Sequence, residues 1–398
     1  MPARGLQLRM QLEDTVRRQT AQMPKRALVT ALQISDKYQH IDGDQFYVAI
    51  ERVRHPGLAG KPVVIRYKSI VSATSYEARA LGIKAGMPYA QAVEIAVREK
   101  AGLAVLPSDT ETYVAVSNSL IQMAKEANPE TEVYSIDEVF CRYPQADWED
   151  PEETGRRIMA RVHDELGVTV SVGNGLTKYS AKMCTKHFKP NRMTTCRDFS
   201  DYARMFHKML VDDLHGVGEK TAEKLAALNI HTVESLAERE PWELRPTFKE
   251  KWSNFLVAAA WGTARWEFVP WYVQAITPPK SVGNTAGLQF RMRGSLEAAA
   301  EALIGAVVIT SHRMQVHNYT GNTITVGLRY NTAGSMDNTN QQKLNMHTNS
   351  EERIVGAALS MLTKLYDETA ERQAINRVGV KVSGIKADMP LQLEFAKT

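Results

Sequence analysis

Two short segments of the chain combine apolar residues with carboxylates. Residues 39–47 place Asp42 after an apolar stretch, and residues 133–140 carry the neighbours Asp137 and Glu138. Carboxylates that cluster or become buried repel one another and lose solvation. A hard cation that accepts several oxygens removes this cost, so the three acids predict a metal site, with magnesium favoured. Beside a basic surface, such a site suits phosphoryl or nucleotidyl transfer by two metals.

Each segment taken alone also has an ordinary explanation. An Asp-x-Asp sequence such as residues 42–44 is often a turn or the start of a helix, and an Asp-Glu pair after a strand is often a solvated loop. The metal interpretation therefore depends on both segments together and on the elements that position them.

Strands and helices alternate through the part of the chain that contains the acids. The apolar patterns and turn residues predict this order, which is typical of an α/β or α+β core. The predicted strands cover residues 31–47, 62–65, 70–74, 103–107, 136–138 and 168–172, and the predicted helices cover residues 110–127 and 151–166.

A lysine-rich helix is predicted after these elements. Its lysines recur at intervals of four, four and three residues, which places them near one face: Lys178, Lys182, Lys186 and Lys189. Pro190 ends the helix. A single helix with this pattern can also be a solvated surface helix, so the lysines alone do not identify a binding face.

Residues 214–225 match the helix-hairpin-helix pattern, in which two glycines two positions apart precede a helix. Gly216 and Gly218 let the backbone approach a phosphate closely, and the N–H groups of the following helix favour an anion. Lys220 adds positive charge. An ordinary glycine-containing turn between helices is the alternative.

The C-terminal part of the chain predicts a separate small domain. Residues 268–279 are rich in proline and aromatic residues, as in a tether between domains. The pattern beyond them predicts a βαββαβ order, which makes a small open sheet with two helices on one face. These six elements are predicted at residues 287–293, 295–316, 323–330, 343–347, 351–366 and 376–383.

Composition limits the class of protein. A hydrophobic fraction of 43% and a charged fraction of 24% over 398 residues are typical of a soluble protein with several domains. The apolar runs are too short to cross a bilayer, and charges near the N-terminus interrupt any signal-peptide core. Three cysteines without metal-ligand spacing predict free thiols in a reducing cytoplasm. The net charge of +4 permits a nucleic-acid partner.

The order of these motifs resembles the Y-family translesion DNA polymerases, including the bacterial polymerase IV and polymerase V branches. The resemblance covers roughly residues 37–386, and its segments appear in the family's order. They are similar to the first metal motif (41–47), the fingers motif (72–88), the second metal motif (134–138), the lysine-bearing palm helix (172–191) and the start of the little finger (280–284).

This resemblance implies an α+β right-hand polymerase of several domains, with a ferredoxin-like palm, small fingers, a helical thumb that contains the helix-hairpin-helix, and a βαββαβ little finger. The implied boundaries are an N-terminal extension (1–35), palm (36–46 and 104–196), fingers (47–103), thumb (197–267), linker (268–281), little finger (282–387) and tail (388–398).

The resemblance also implies roles for individual residues. Asp42, Asp137 and Glu138 would hold two Mg²⁺ ions, with the carbonyl of Gly43 as a further ligand. Tyr47 would be the aromatic steric gate that rejects ribonucleotides. The implied nucleotide-binding residues are Gln45, Phe46, Tyr47, Tyr76, Arg79 and Lys189; Ile70 and Ser72 would lie over the nascent base pair, and Gly216, Gly218 and Lys220 would bind DNA.

The chain departs from the family pattern at three places. Gly43 replaces a bulky residue, which predicts a looser strand, Gln45 replaces an apolar or small residue, and Arg192 stands where a glycine is usual. These departures are expected to affect fidelity and nucleotide affinity more than the nucleotidyl-transfer reaction.

The tail resembles the clamp-binding peptides of bacterial polymerases, with Gln392, Leu393 and Phe395 as apolar and polar anchors for a sliding clamp. A tail that only caps the last strand is the alternative.

Three functions follow as hypotheses. The first is a low-fidelity, monomeric DNA polymerase that binds primer–template DNA and dNTPs and copies damaged templates. The second is a non-catalytic scaffold of the same fold in a mutagenesis complex, although such a relative would be expected to lose the metal carboxylates. The third is a DNA-binding module with unrelated chemistry, which leaves the acids and the lysine helix unexplained.

Overall fold

The computed structural model describes residues 36–271, 274, 278–288, 293–330, 338–368 and 375–387. The chain divides into two compact units, Met1–Trp271 and Tyr272–Thr398. The predicted extension (1–35) and the predicted clamp-binding residues lie outside the described residues. Across the described part of the chain, every helix is too short or too polar to span a membrane.

The strands described in the first unit form two sheets. The larger sheet has the order β5-β6-β1-β7-β8, and the smaller has the order β3-β2-β4. The strands are β1 (Lys37–Gly43), β2 (Val63–Tyr67), β3 (Ile70–Thr74), β4 (Ala104–Pro107), β5 (Thr131–Val133), β6 (Glu138–Tyr143), β7 (Val170–Gly175) and β8 (Met193–Thr195).

Helices cover these sheets and form the C-terminal part of the first unit. Their starts follow the capping preferences of the sequence; Asp109, for example, accepts a hydrogen bond from the N–H of Thr112. The helices are α1 (Phe46–Arg54), α2 (Tyr76–Ala80), α3 (Tyr89–Arg98), α4 (Thr110–Ala127), α5 (Glu149–Leu166), α6 (Lys178–Phe188), α7 (Phe199–Phe206), α8 (Glu219–Ala226), α9 (Val233–Ala237) and α10 (Pro241–Ala260).

Helix α6 lies directly on strand β7, and Gly173 makes this close approach possible. A Cβ atom at Gly173 would lie 2.1 Å from the carbonyl oxygen of Ala181 and 2.4 Å from Oγ1 of Thr185. Because both neighbours belong to α6, any larger residue would push the helix away from the sheet. The lysines of α6 are thereby held over the middle of the larger sheet.

Buried apolar side chains of the described residues form four clusters. One lies around the larger sheet, one lies around α3 and the smaller sheet, one joins α6 to the helices after β8, and one fills the second unit. The division into palm, fingers, thumb and little finger remains a prediction.

The second unit has the predicted βαββαβ order, followed by a short strand. Its main sheet has the strand order β11-β10-β12-β9, and the apolar sides of both long helices pack on one face of this sheet. The elements are β9 (Ser281–Gly287), α11 (Leu296–Val316), β10 (Tyr319–Arg329), β11 (Asn338–Thr348), α12 (Glu351–Glu368), β12 (Arg377–Ser383) and β13 (Lys386–Ala387).

The first described strand of this unit is Ser281–Gly287, which pairs antiparallel with β12 over its whole length. Its alternation is weak, since Val282 is its only strongly apolar residue, so long-range pairing fixes its register. The strand predicted at residues 287–293 falls mostly outside the described residues. The strand expected at 343–347 is longer than predicted and spans Asn338–Thr348. Its additional residues are polar and face solvent from an edge strand, so the apolar pattern did not indicate them.

Candidate catalytic cleft

The two acid-bearing segments meet because β1 and β6 run antiparallel. Asp42 stands near the C-terminal end of β1, directly opposite Glu138, the first residue of β6. The N–H of Gly43 donates to the carbonyl oxygen of Asp137 at 3.0 Å. The expectation that residues 136–138 form a strand was therefore mostly wrong, since residues 134–137 form the bend before β6.

An open cleft of about 320 Å³ lies at this junction. It is lined by the acids on one side and by residues of β3 and α2 on the other. Of the site residues predicted from sequence, the cleft brings together Asp42, Gly43, Gln45, Phe46, Tyr47, Ser72, Arg79, Asp137, Glu138 and Lys189.

The donor set of the cleft fits a divalent metal. Ligand atoms of His40, Asp42 and Glu138 lie within 4.8 Å of one another. Asp137 lines the same cleft, and the hydroxyl of Ser135 donates to its carboxylate at 2.9 Å. Three carboxylates that converge from two strand ends supply the oxygen ligands that hard cations prefer.

Two lysines neutralise two of these acids. The ammonium of Lys189 lies 2.6 Å from Asp42, and the ammonium of Lys182 lies 2.5 Å from Glu138. Lys189 is the residue that follows the end of α6, so it reaches the cleft from the C-terminus of the helix.

The other two lysines of the predicted face have different partners. Lys178 is buried and donates to both carboxylate oxygens of Glu132 at 2.7 Å. Lys186 donates to the carbonyl oxygen of Asp213 at 2.5 Å. The regular spacing of the lysines therefore predicted a helix with the lysines near one side. It did not predict that the four lysines have different partners.

Burial and nearby charges shift the pKa values of the three acids in different directions. Burial raises the pKa of Asp42, although the charge of Lys189 opposes this, and burial also raises the pKa of Asp137. Burial alone would raise the pKa of Glu138 too, but the hydrogen bond from His40 and the hydrogen bond and charge of Lys182 outweigh it and lower the pKa to about 2. Glu138 is thus the acid that most strongly favours its charged form.

His40 is a residue of the site that the sequence reasoning missed. It is fully buried, its Nδ1 lies 3.0 Å from Oγ1 of Thr185, and its Nε2 lies 3.5 Å from Glu138. Burial lowers its pKa, which favours the neutral ring. The available signal was its position two residues before Asp42, because alternate residues of a strand share a face.

Asp44, the second acid of the first segment, has a structural role. It is buried, and its carboxylate accepts hydrogen bonds from the hydroxyls of Thr169 and Ser171 and from the N–H of Asn191, at 2.7 to 2.9 Å. These donors hold the start of α1 against β7 and the turn after α6.

Gly43 does not loosen its strand as expected. It pairs with Val170 of β7, and a Cβ atom built on it would lie 2.8 Å from the ring of Phe46. The aromatic ring therefore occupies the space that a bulky residue at position 43 would need.

Tyr47 lies in the cleft with its ring held from one side. It stacks on Tyr113, with ring centroids 4.3 Å apart and planes at 13°. The hydroxyl of Tyr113 donates to Glu51 at 2.9 Å, which fixes the supporting ring. A rigid ring in this place can limit the size of a ligand beside it.

The opposite wall of the cleft carries positive charge. The guanidinium of Arg79 lies 5.2 Å from the ring centre of Tyr76, and its Nε donates to Thr74 at 3.0 Å. Tyr76 itself does not line the cleft. Its hydroxyl is buried and has no hydrogen-bond partner within the described part of the chain, and burial raises its pKa to about 12.

Four predicted contacts lie away from the cleft. Ile70 is at the exposed start of β3, whereas Ser72 of the same strand reaches the cleft. Gly216, with φ of +91°, and Gly218 precede α8 as the helix-hairpin-helix pattern requires, and both are exposed together with Lys220.

Comparisons with known proteins agree with this geometry. Residues 41–186 match the impB/mucB/samB family, and residues 279–395 match the C-terminal domain of that family. The chain is 32% identical over 230 residues to DNA polymerase IV 2 of Mycobacterium tuberculosis, which is 56% of this chain and 65% of that relative. The match thus spans just under two thirds of that relative's length.

A second curated relative is covered almost completely. DNA polymerase IV of Listeria welshimeri is 28% identical over 365 residues, which is 88% of this chain and 96% of the relative. Among solved structures, a Y-family DNA polymerase chimera of Dbh and Dpo4 has a TM-score of 0.73 at 23% identity, over 88% of this chain and all of the other. DinB from Sulfolobus solfataricus has a TM-score of 0.56 at 23% identity, over 87% and 98%. The structural matches show a common fold.

Proposed function

This chain belongs to the impB/mucB/samB family, the Y-family of translesion DNA polymerases, and from that premise we propose that it adds dNTPs to a primer 3′-hydroxyl in translesion synthesis. The observation that carries the proposal is the meeting of three acids and two cationic side chains in one cleft. Asp42, Asp137 and Glu138 face Arg79 and Lys189 there.

The proposed cofactor is a pair of Mg²⁺ ions. Asp42, Asp137 and Glu138, with the carbonyl of Gly43, would hold them; hard cations favour such an all-oxygen set. When bound, the metals lower the pKa of the attacking hydroxyl and stabilise charge on the leaving pyrophosphate. The chain's own residues bring the ligands together through the antiparallel pairing of β1 and β6.

The triphosphate is proposed to bind between the acids and the α2 wall. Arg79 can fork two phosphate oxygens, and Lys189 supplies a point charge. Tyr76 does not line the cleft, so its buried hydroxyl would meet a phosphate oxygen only after its side chain turns toward the cleft; such a contact would satisfy a donor that has no partner within the described residues. The backbone of residues 45–47 would complete the phosphate contacts.

Tyr47 is proposed as the sugar gate. Its ring lines the cleft and is supported from behind by Tyr113, so it cannot easily retreat. A ribonucleotide would bring a 2′-hydroxyl against this ring, which favours dNTPs over rNTPs.

DNA is the proposed macromolecular partner. The exposed turn that contains Gly216 and Gly218 and the helix start at Lys220 suit a phosphate backbone. A sliding clamp that binds Gln392, Leu393 and Phe395, and a monomeric state, remain predictions from the sequence.

Primer extension tests the proposal directly. The full chain is incubated with an undamaged primer–template, Mg²⁺ and the four dNTPs, beside an Asp137→Ala variant and an rNTP lane. Extension by the wild type alone is expected, with DNA binding by Asp137→Ala unchanged in fluorescence anisotropy. Asp164→Ala is a matched control, because Asp164 is an exposed acid on α5 away from the cleft.

Two outcomes would contradict the assignments. Extension by Asp137→Ala would overturn the metal site, and DNA binding without extension by the wild type would favour a scaffold. Tyr47→Ala is expected to incorporate rNTPs on the order of 100-fold better than the wild type, the size of discrimination against one added hydroxyl in an apolar pocket. Continued rejection of rNTPs by that variant would remove Tyr47 as the gate.

A further inference from the structure

The backbone of Gln45 has an unfavourable conformation. Its φ is 49° and its ψ is 41°, in the left-handed region, immediately before α1. A side chain with a Cβ atom is disfavoured there, whereas glycine adopts the same angles freely. Residues held in this region occur often at functional sites, where surrounding contacts over-determine them.

The side chain of Gln45 makes one strong contact. Its Oε1 accepts a hydrogen bond from the backbone N–H of Tyr76 at 2.7 Å, across 31 positions of the sequence. Tyr76 is the first residue of α2, so its N–H has no acceptor within the helix. The hydroxyl of Ser75 accepts a hydrogen bond from a different N–H of the same turn, that of Ala78, at 3.1 Å.

The helix that receives this contact carries the positive wall of the cleft. Arg79 lies one turn along α2 and lines the cleft, and its guanidinium lies 5.2 Å from the centre of the Tyr76 ring. Gln45 lines the same cleft from the side of the acids. Its hydrogen bond therefore joins the acidic and the cationic walls.

A second link between α1 and α2 lies farther from the acids. Arg52 donates to Glu77 at 2.8 Å and to the carbonyl oxygen of Lys61 at 3.1 Å. Arg52 and Glu77 do not line the cleft. The contact of Gln45 is thus the link that acts at the cleft itself.

We propose that Gln45 is a positioning residue for nucleotide binding: its side-chain oxygen fixes the start of α2, and so the positions of Arg79 and Tyr76, relative to the metal-binding acids. The inference rests on the proposed function, since the ligand of the cationic wall is the dNTP triphosphate. It also assigns a role to a glutamine that departs from the family pattern.

The test compares Gln45→Met with Gln122→Met in the full-length protein. Methionine keeps the length of the side chain and removes the acceptor. Gln122 is exposed on α4, where it donates to Glu126 at 3.0 Å, so its replacement is a matched control. Two readouts are used: hydrogen exchange at the amide of Tyr76 without substrate, and dNTP dissociation constants from single-turnover kinetics with saturating DNA.

For Gln45→Met we expect exchange at Tyr76 to become about 10-fold faster, and the dNTP dissociation constant to rise about 3- to 10-fold, the range for one lost hydrogen bond. The DNA dissociation constant and the rate at saturating dNTP should stay within about twofold, because no phosphate or metal ligand is removed. Gln122→Met should change none of these quantities.

Gln45→Gly separates the side chain from the backbone conformation. Glycine accepts the left-handed angles, so this variant should fold at least as well as Gln45→Met and should lose dNTP affinity to the same degree. Unchanged exchange at Tyr76 in both variants would disprove the contact. Faster exchange with unchanged dNTP affinity would disprove its role. If the wild type itself bound no dNTP, the proposed function would fail instead, and the exchange data would still report on the contact.

Discussion

The main sheets of the two units differ in their layers and in their chemistry. In the first unit, α5 and α6 contact opposite faces of the sheet, acids stand at the paired ends of β1 and β6, and α6 holds lysines near them. In the second unit, two helices cover one face, and the other face carries a shallow trough of about 610 Å³ lined mainly by small and polar residues: Ser281, Gly283, Asn284, Thr285, Thr325, Gly327, Thr339, Gly379, Val380 and Lys381. The comparison shows that a sheet covered by helices does not by itself create a reactive site; the charges gathered at strand ends distinguish the first sheet.

Removing one charge from the first sheet should have the largest effect. In Asp137→Asn the amide keeps the size of the side chain and can still accept from Ser135, but it is a poor metal ligand. We expect single-turnover incorporation to fall about 10³-fold, comparable to the loss of one electrostatic stabiliser.

The same variant should be more stable than the wild type when metal is chelated. Burial raises the pKa of Asp137, so the native state binds this proton more tightly than the unfolded chain does. The free energy of unfolding of the wild type should therefore fall as the pH rises from about 4 through the raised native pKa of Asp137, whereas the variant has no carboxyl to titrate there. Urea unfolding in EDTA at pH 4 and pH 7.5 measures the difference in free energy of unfolding between the two proteins. If the variant were more stable by the same amount at both pH values, the explanation would be contradicted.

Close-packed glycines give a matched comparison between the units. An added Cβ would lie 2.1 Å from a backbone oxygen of α6 at Gly173, and 2.6 Å from the carbonyl oxygen of Val380 at Gly283. Either change to alanine should destabilise its own unit by about 1–3 kcal/mol. Gly173→Ala should also slow incorporation, because it displaces Lys182, whereas Gly283→Ala should leave the single-turnover rate at saturating DNA unchanged.

Gly305→Ala is the control for both variants. Nothing lies within 4 Å of a Cβ at this position of α11, so alanine should be neutral or stabilising. Urea unfolding and single-turnover incorporation measure the three variants side by side. A slower single-turnover rate at saturating DNA for Gly283→Ala would contradict the expectation that the incorporation rate depends on the first sheet and not on the second.

The smallest expected effect concerns the trough. If DNA lies in this trough, Lys381→Ala should weaken DNA binding a few-fold for all sequences and reduce the slope of log affinity against log salt by about 1, the effect of one lost phosphate contact. Lys364→Ala, an exposed lysine on α12, should leave the slope unchanged. Fluorescence anisotropy at several salt concentrations measures the three slopes, and equal slopes for the wild type and both variants would show that DNA does not contact Lys381 in the trough.

The parts of the site that the sequence predicted are those with local signals. Asp42, Asp137 and Glu138 stand at breaks in apolar stretches, and a break of that kind is visible without any knowledge of pairing. Helix α4 was predicted with its correct bounds, because Asp109 is a clear cap and the apolar spacing is regular.

The missed parts depend on contacts between distant segments. The sequence pattern does not distinguish a functional histidine in a strand from a structural one. Only the approach of α6 to β7 shows that His40 lies between Thr185 and Glu138. The different partners of Lys178 and Lys182 have the same origin. The bounds of β9 likewise depend on its pairing with β12, which is about 100 residues away in sequence.

The contact of Phe46 with Gly43 has a consequence for how this cleft can change by mutation. A bulky residue at position 43 would overlap the ring of Phe46, so it is compatible only with a smaller or displaced residue at position 46. The two positions should therefore show strong epistasis, with each single replacement harmful and the pair tolerated. A mutant library that varies one position at a time would miss those combinations, and a chimera that imports a relative's metal motif should carry both positions together.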